Sequence, residues 1–334
     1  MERYSTVRYG RHILFLALVA VAITFSHPVS AATTTPWTKN QLVAALVAAQ
    51  KAPLKIATTT PALSALVTPF DISAASGNGL ISPQCQPYGH PAIARNPVPC
   101  LFGETANPKG DVVLYGNSHV DNWIAPLSSA MKAKGYRLDV FGYAGCPATS
   151  LDYSQGPFAL RSGNVNDCLA WIARLPEKVR AIQPKAIFYT GGPEFSSLLG
   201  AKDQAFATGV KDLMTQMGSA QKLILGTTPS LNAAAPACLA QHKSDATFCQ
   251  MTYRATSFYS KLMQRDQVVA STTKATLIPT NAMYCQPNAQ NRLQWICPAI
   301  VDGIVVYTDT NHTTQEYSKR LATVLANALA PLVK

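Results

Sequence analysis

From residue 111 onward short apolar runs alternate with amphipathic stretches, and this alternation leaves few architectures open to the chain. Strand-like runs lie at 111–115, 137–143, 185–190, 222–227 and 276–281, with a further apolar run at 303–307. Helical patterns fall near 121–134, 168–182, 202–218, 251–268 and 313–331. Short apolar runs separated by helices read as successive β–α units. The expected fold is therefore α/β and three-layered, a mainly parallel sheet with helices on both faces. Gly135 stands where a helix C-cap is needed. Asp121 and Thr313 mark helix starts, the second with Glu316 in capping-box position.

What precedes this pattern is of a different kind. Arg3, Arg8 and Arg11 lead into an apolar stretch from Ile13 to Phe25, followed by Val29 and Ala31 at small-residue positions before a cleavage point. Residues 1–31 thus read as a secretory signal peptide, short for a membrane span. An uncleaved membrane anchor is the second reading. Residues 32–84 are rich in Ala, Thr and Pro and read as a spacer, with a helix over 41–50 begun near Thr38 and an apolar piece at 63–67. Residues 85–334 form the remaining domain.

All eight cysteines follow the leader: Cys85, Cys100, Cys146, Cys168, Cys238, Cys249, Cys285 and Cys297. An even number in an exported chain without any C-x-x-C pair predicts disulfides rather than zinc. Spacing does not fix connectivity. Pairing of sequence neighbours (Cys85–Cys100, Cys146–Cys168, Cys238–Cys249, Cys285–Cys297) would clip the long connections. The formal charge is +11, of which the leader supplies +2, leaving +9. These basic residues are scattered, so a solvated surface explains them, although a basic exported protein also suits anionic envelope polymers. No basic block with interleaved aromatics points to nucleic acid.

Ser118 ends the run Asp111-Val-Val-Leu-Tyr-Gly-Asn-Ser118 and sits where an α/β sheet places its ligands, at the carboxyl edge of a strand. Tyr307-Thr-Asp-Thr-Asn-His312 brings an acid and an imidazole onto one loop before a helix. Serine, aspartate and histidine in that order match the chemistry of a hydrolytic or acyl-transfer triad, because a hydroxyl attacks only when a base stands within reach. Taken singly, Ser118 is an ordinary turn serine and His312 an ordinary surface histidine. Their pairing favours catalysis.

The blocks Cys100-Leu-Phe-Gly, Val112-Val-Leu-Tyr-Gly-Asn-Ser-His-Val-Asp-Asn-Trp123, Gly145-Cys-Pro147 and Tyr307-x-Asp309-x-x-His312 together resemble the SGNH domain appended to bacterial membrane acyltransferases, the acyltransferase-3 group. The resemblance covers roughly residues 85–331, and the Ala/Thr/Pro segment is similar to that family's linker. It implies an SGNH, flavodoxin-like fold, here as a stand-alone exported protein without the membrane-spanning half. It implies Ser118 as nucleophile, His312 as general base and acid, and Asp309 as the residue that orients the imidazole. His119, directly after the nucleophile, is expected to support the turn. Oxyanion donors are expected at the backbone N–H of Ser118 and Gly145. The third-strand block reads Thr190-Gly-Gly-Pro-Glu194 where the superfamily often carries asparagine. Gly192 there either supplies an amide or only accommodates a tight turn. The family usually has aspartate where this chain has Asn117. Trp123, Tyr143 and Glu194 are placed at helix–sheet packing and loop positions rather than in a sugar cleft.

The reaction implied is movement of an acyl group, most plausibly acetyl, to or from a hydroxyl of an envelope polysaccharide or glycolipid. No metal or organic cofactor is required, and a separate membrane acyltransferase is the expected acyl donor if transfer rather than hydrolysis occurs. The rival class is a non-catalytic envelope binding or assembly module with a drifted site, to which Asn117 and the absent asparagine point.

Overall fold

The computed structural model describes residues 35–66, 94–154, 165–192, 203–254 and 257–333; the expected leader, Cys85 and Glu194 lie outside these. Helices are α1 (Lys39–Ala48), α2 (Leu63–Leu66), α3 (Asp121–Lys134), α4 (Val165–Ile182), α5 (Asp203–Gln216), α6 (Ala235–Gln241), α7 (Phe258–Thr273), α8 (Gln315–Arg320) and α9 (Ala322–Leu329). The main sheet contains β1 (Cys100–Gly103), β2 (Asp111–Gly116), β3 (Arg137–Gly142), β4 (Ala186–Thr190) and β5 (Gln221–Leu225). After β6 (Met251–Tyr253), which belongs elsewhere, β7 (Thr276–Ile278) completes it in the order β1-β3-β2-β4-β5-β7. β1 is antiparallel to β3; all other neighbours are parallel. The fold is a mostly parallel α/β sheet with a helical layer on each face.

Alternation along the strands builds the two cores, since successive side chains leave opposite faces. Val112 and Leu114 of β2, with Leu138 and Val140 of β3, pack against Trp123, Ile124 and Leu127 of α3 and against Tyr317 and Leu325. Val113, Tyr115, Phe141, Ile187 and Tyr189 face the other way, onto Trp171 and Leu175 of α4 and Val210 and Leu213 of α5. Every position of β4 is buried, as a strand covered on both faces requires. α1 joins the first core through Leu42 and Leu46. Thr38 caps it with Gln41 in a full capping box.

Three expected boundaries move. The stretch 251–268 is not one helix: Met251–Tyr253 pairs with β9 (Trp295–Cys297), which also pairs with β8 (Gln286–Pro287). The helix begins only at Phe258, capped by Ser257. Only Ile304–Val305 of the run 303–307 is strand, β11, paired with β10 (Ile300–Val301) in a hairpin outside the main sheet. The last helical stretch divides at Leu321 into α8 and α9, and the cap of α8 is Thr314 rather than Thr313. The Thr313 N–H donates to Asn122 Oδ1 and its hydroxyl shares a hydrogen bond with the Tyr284 hydroxyl, so the next threonine caps.

Cys146–Cys168, Cys238–Cys249 and Cys285–Cys297 are disulfides, as neighbour pairing predicts. Cys100 is disulfide-bonded, and its expected partner Cys85 lies outside the described residues. Each short cross-link limits the unfolded ensemble, worth about 3 kcal/mol for a loop of this class.

β2 has β3 on one side and β4 on the other, so the chain reverses its direction of strand addition there. Such a switch opens a crevice at the carboxyl ends of the strands. Gly116 closes β2 against β4: a Cβ at this position would lie 2.1 Å from the Thr190 carbonyl oxygen. Only glycine permits that approach. The chain then turns directly into Ser118.

Candidate active site

Ser118 opens a 3-10 turn, Ser118–Val120, that runs into α3. Asn117, fully buried, caps this turn: its Oδ1 accepts the His119 N–H at 2.9 Å. The side-chain carbonyl thus performs the capping that an aspartate would perform, without the charge.

The second part of the site is a closed loop. Tyr307 pairs with Thr313, the Thr308 N–H donates to the His312 carbonyl at 2.8 Å, and the Thr314 N–H donates to Val306. Inside it, Asp309 Oδ1 accepts the N–H groups of Asn311 and His312 at 2.8 and 2.7 Å. That fixes the carboxylate and turns Oδ2 toward His312 Nδ1, 2.6 Å away. His312 Nε2 lies 2.7 Å from Ser118 Oγ, across 194 residues of sequence. The His312 and Asp309 side chains are 14% and 18% exposed, so the cluster is open to a substrate yet mostly sheltered from water. Burial pushes the Asp309 carboxyl upward, but the hydrogen bond and charge of His312 and the two backbone N–H groups outweigh it and hold it below the usual carboxylate range.

Asn122, one helical turn beyond Ser118, ties the two parts together. Its Oδ1 accepts the Thr313 N–H at 2.7 Å, while Nδ2 reaches Thr228 Oγ1 at 3.2 Å, the Asn311 carbonyl at 3.4 Å and His119 Nδ1 at 3.1 Å. Neither Asn122 nor Thr228 was singled out from sequence. The available signal was an asparagine, a poor helix former, within the first turn of a helix.

His119 is buried, with Nδ1 3.1 Å from Thr228 Oγ1 and its ring 4.8 Å from that of His312. Because Asn122 Nδ2 offers only hydrogens, His119 Nδ1 acts as acceptor in the neutral ring. Burial, and then the neighbouring His312, push its pKa well below the ordinary imidazole value. It is a neutral wall behind the His312 ring. Asp121, also close, is pushed up to about 8 by burial, with His312 pulling the other way.

The section from 228 to 250 covers the loop. Leu231 N–H donates to the Thr310 carbonyl at 2.7 Å and Ala235 N–H, at the start of α6, to the Asp309 carbonyl at 3.0 Å. The Cys238–Cys249 disulfide holds this cover. Gly145 follows β3 at φ +73°, a left-handed turn that suits glycine. Gly192 follows β4, buried, and its carbonyl accepts a 2.9 Å bond from Arg265. Trp123 and Tyr143 are core residues. Among the described residues, no cluster of three or more His, Cys, Asp or Glu side chains is placed to hold a metal ion, and no helix is long and apolar enough to cross a membrane.

A family model described as SGNH domain (fused to AT3 domains) matches residues 84–327, well over half of the chain. The chain belongs to the SGNH family. Among solved structures, this SGNH protein is similar to the periplasmic domain of a lipopolysaccharide acetyltransferase from Salmonella ser. Paratyphi A. The two are 14% identical, with a TM-score of 0.50, over 76% of this chain and 99% of the other. At that identity the likeness concerns the fold of the SGNH protein. No curated protein matches it.

Proposed function

We propose that this SGNH-family protein is a serine-dependent O-acyltransferase or esterase that handles acyl groups, acetyl foremost, on hydroxyls of an envelope glycan or glycolipid. The observation that carries the reading is the unbroken chain from Asp309 Oδ2 through both nitrogens of His312 to Ser118 Oγ. Family membership agrees with acyl-transfer or ester-hydrolysis chemistry.

In the first half-reaction Ser118 Oγ attacks the ester carbonyl while its proton passes to His312 Nε2. Asp309, held ionised by its three polar contacts, stabilises the imidazolium through Nδ1–H. The carbonyl oxygen becomes negative and needs donors; the N–H groups of Ser118 and Gly145 are assigned this role, with Gly192 as a third. Collapse breaks the bond to the alcohol, which leaves with the proton from His312, and an acyl-serine remains. In the second half-reaction water or a sugar hydroxyl gives its proton to His312 and attacks the acyl-serine; the acyl–Oγ bond breaks, His312 returns the proton to Ser118 Oγ, and the free acid or the acylated sugar leaves. Water makes the protein an esterase; a sugar makes it a transferase, with the donor supplied by a membrane acyltransferase.

The disulfides fit a protein that works in an oxidising compartment, and this supports the reading of residues 1–31 as an export leader. The test is turnover of a chromogenic acetyl ester and labelling by a serine-reactive phosphonate. Both are expected in the native protein and absent in Ser118→Ala. A native protein that neither turns over nor labels at Ser118 overturns the reading in favour of a binding module.

A further inference from the structure

A cavity of about 590 Å³ lies beyond the catalytic cluster on the same rim of the sheet. Its floor is Gly226 and Thr227 after β5 and Pro279 and Thr280 after β7, and its walls are the first turns of α7 and the β8–β9 hairpin. No feature of the motif chemistry accounts for it. We propose that this cavity is a carbohydrate subsite, binding a neutral sugar ring of the glycan whose neighbouring unit reacts at Ser118; this rests on the reading above.

Three observations point to a sugar. The first is an aromatic wall held in one orientation. The Trp295 ring, partly exposed, lies nearly parallel to Tyr253 (19° between planes, centroids 6.1 Å apart), and Tyr259 meets Tyr253 edge-on at 4.9 Å. The Cys285–Cys297 disulfide clips the ends of the hairpin that carries Trp295. A pre-set aromatic face suits the C–H face of a pyranose or furanose and is not lost to side-chain ordering on binding.

Secondly, the rim offers the forked groups that sugar hydroxyls require: the exposed side chains of Gln264, Gln267 and Arg292, with Asn281 half-buried. Amides both donate and accept, as a hydroxyl does. Among the described lining residues the one acid, Asp266, is buried and already taken by Thr227, through N–H at 2.6 Å and Oγ1 at 3.0 Å. Among the same residues Arg292 is the one cation, which is little positive charge for a nucleotide or a phosphorylated lipid head.

Thirdly, the cavity is coupled to the catalytic cluster by position. Thr227 lines it, and the next residue, Thr228, touches His119 and donates to the Asn311 carbonyl beside the base. In the strand order β2-β4-β5, the two sites are two strand positions apart, about 10 Å. A sugar seated on Trp295 therefore presents a following unit of the same chain to Ser118. A free monosaccharide ester has no such second hold.

The experiment titrates short neutral oligosaccharides, released from the host's own envelope polysaccharide by mild acid, into the Ser118→Ala protein, followed by tryptophan fluorescence and calorimetry. Saturable binding is expected, weakened about tenfold or more in Trp295→Ala and measurably in Arg292→Ala and Gln264→Ala. Arg292 and Gln264 are exposed, so their variants report even if the tryptophan variant does not fold. Melting midpoints establish that each variant is folded. No binding, or equal binding in folded variants, overturns the subsite. Chromogenic-ester turnover by the native protein is measured alongside: turnover without binding removes the subsite alone, whereas binding without turnover upholds the subsite and removes the catalytic reading.

Discussion

The sharpest expectation concerns Asp309→Asn, because the geometry separates the catalytic role proposed for Asp309 from its structural one. The Asp309 Oδ1 atom accepts two backbone N–H groups and Oδ2 faces His312 Nδ1. An asparagine keeps its carbonyl oxygen on the two N–H groups, so the loop retains its shape. Its NH2 group then takes the place of Oδ2 and donates to Nδ1. The imidazole is forced to carry its proton on Nε2, which faces Ser118 Oγ at 2.7 Å and can no longer accept the serine proton. A wrong tautomer of this kind costs about 10⁴ in kcat, or about 5 kcal/mol of barrier. Asp309→Ala removes the loop bonds as well and leaves two N–H groups without an acceptor, at about 1–3 kcal/mol each. The pair of variants should therefore lose comparable activity while only the alanine variant melts lower. The assay is acetyl-ester turnover with parallel thermal melts. A folded Asp309→Asn protein that loses less than about tenfold in kcat would refute the triad argument.

Asn122→Ala leaves the buried Thr313 N–H unpaired and is expected to lower stability by about 1–3 kcal/mol in urea melts, with a fall in kcat because the His312 loop loses its tether. Gly116→Ala drives a methyl into the Thr190 carbonyl and should cost more than about 3 kcal/mol; a variant with native stability contradicts the close approach of β2 and β4. Asp121 binds its proton more tightly when folded, burial raising its pKa to about 8 from an ordinary 3.8. A raised acid pKa means stability falls as pH rises between those two values, because unfolding there releases a proton that the folded protein keeps. The melting midpoint should decline across that window and decline less in Asp121→Asn. Identical slopes would remove Asp121 as the cause. Asp309 has the opposite sign: its depressed pKa gives stability that is present above the ordinary carboxylate pKa and lost as pH falls through its folded value.

Sequence showed the site more fully than its supports. Ser118 and the Asp309/His312 loop stand next to strong signals, a buried strand ended by Gly116 and a loop of fixed spacing, and each of the strands β2 to β5 was legible from an apolar run, though not to the residue at its ends. The small sheet was not. Met251–Tyr253 is three residues long, too short for alternation to register against the helix that follows, and Pro287 sits on an edge strand where no ladder donor is needed. Asn122 was hidden because its role exists only once the Thr313 N–H arrives from 191 residues away. The same remoteness hid the aromatic wall, as Tyr253, Tyr259 and Trp295 belong to three separate elements. Thr313 and Thr314 are equivalent as caps until tertiary partners choose between them.

The 194-residue separation between Ser118 and His312 also sets an order of events in the life of the chain. During synthesis the serine emerges long before the imidazole that it meets in the folded protein. Under the proposed acyl-transfer role, a nascent polypeptide therefore carries an inert hydroxyl, and reactivity switches on only once the two ends of the domain have folded together.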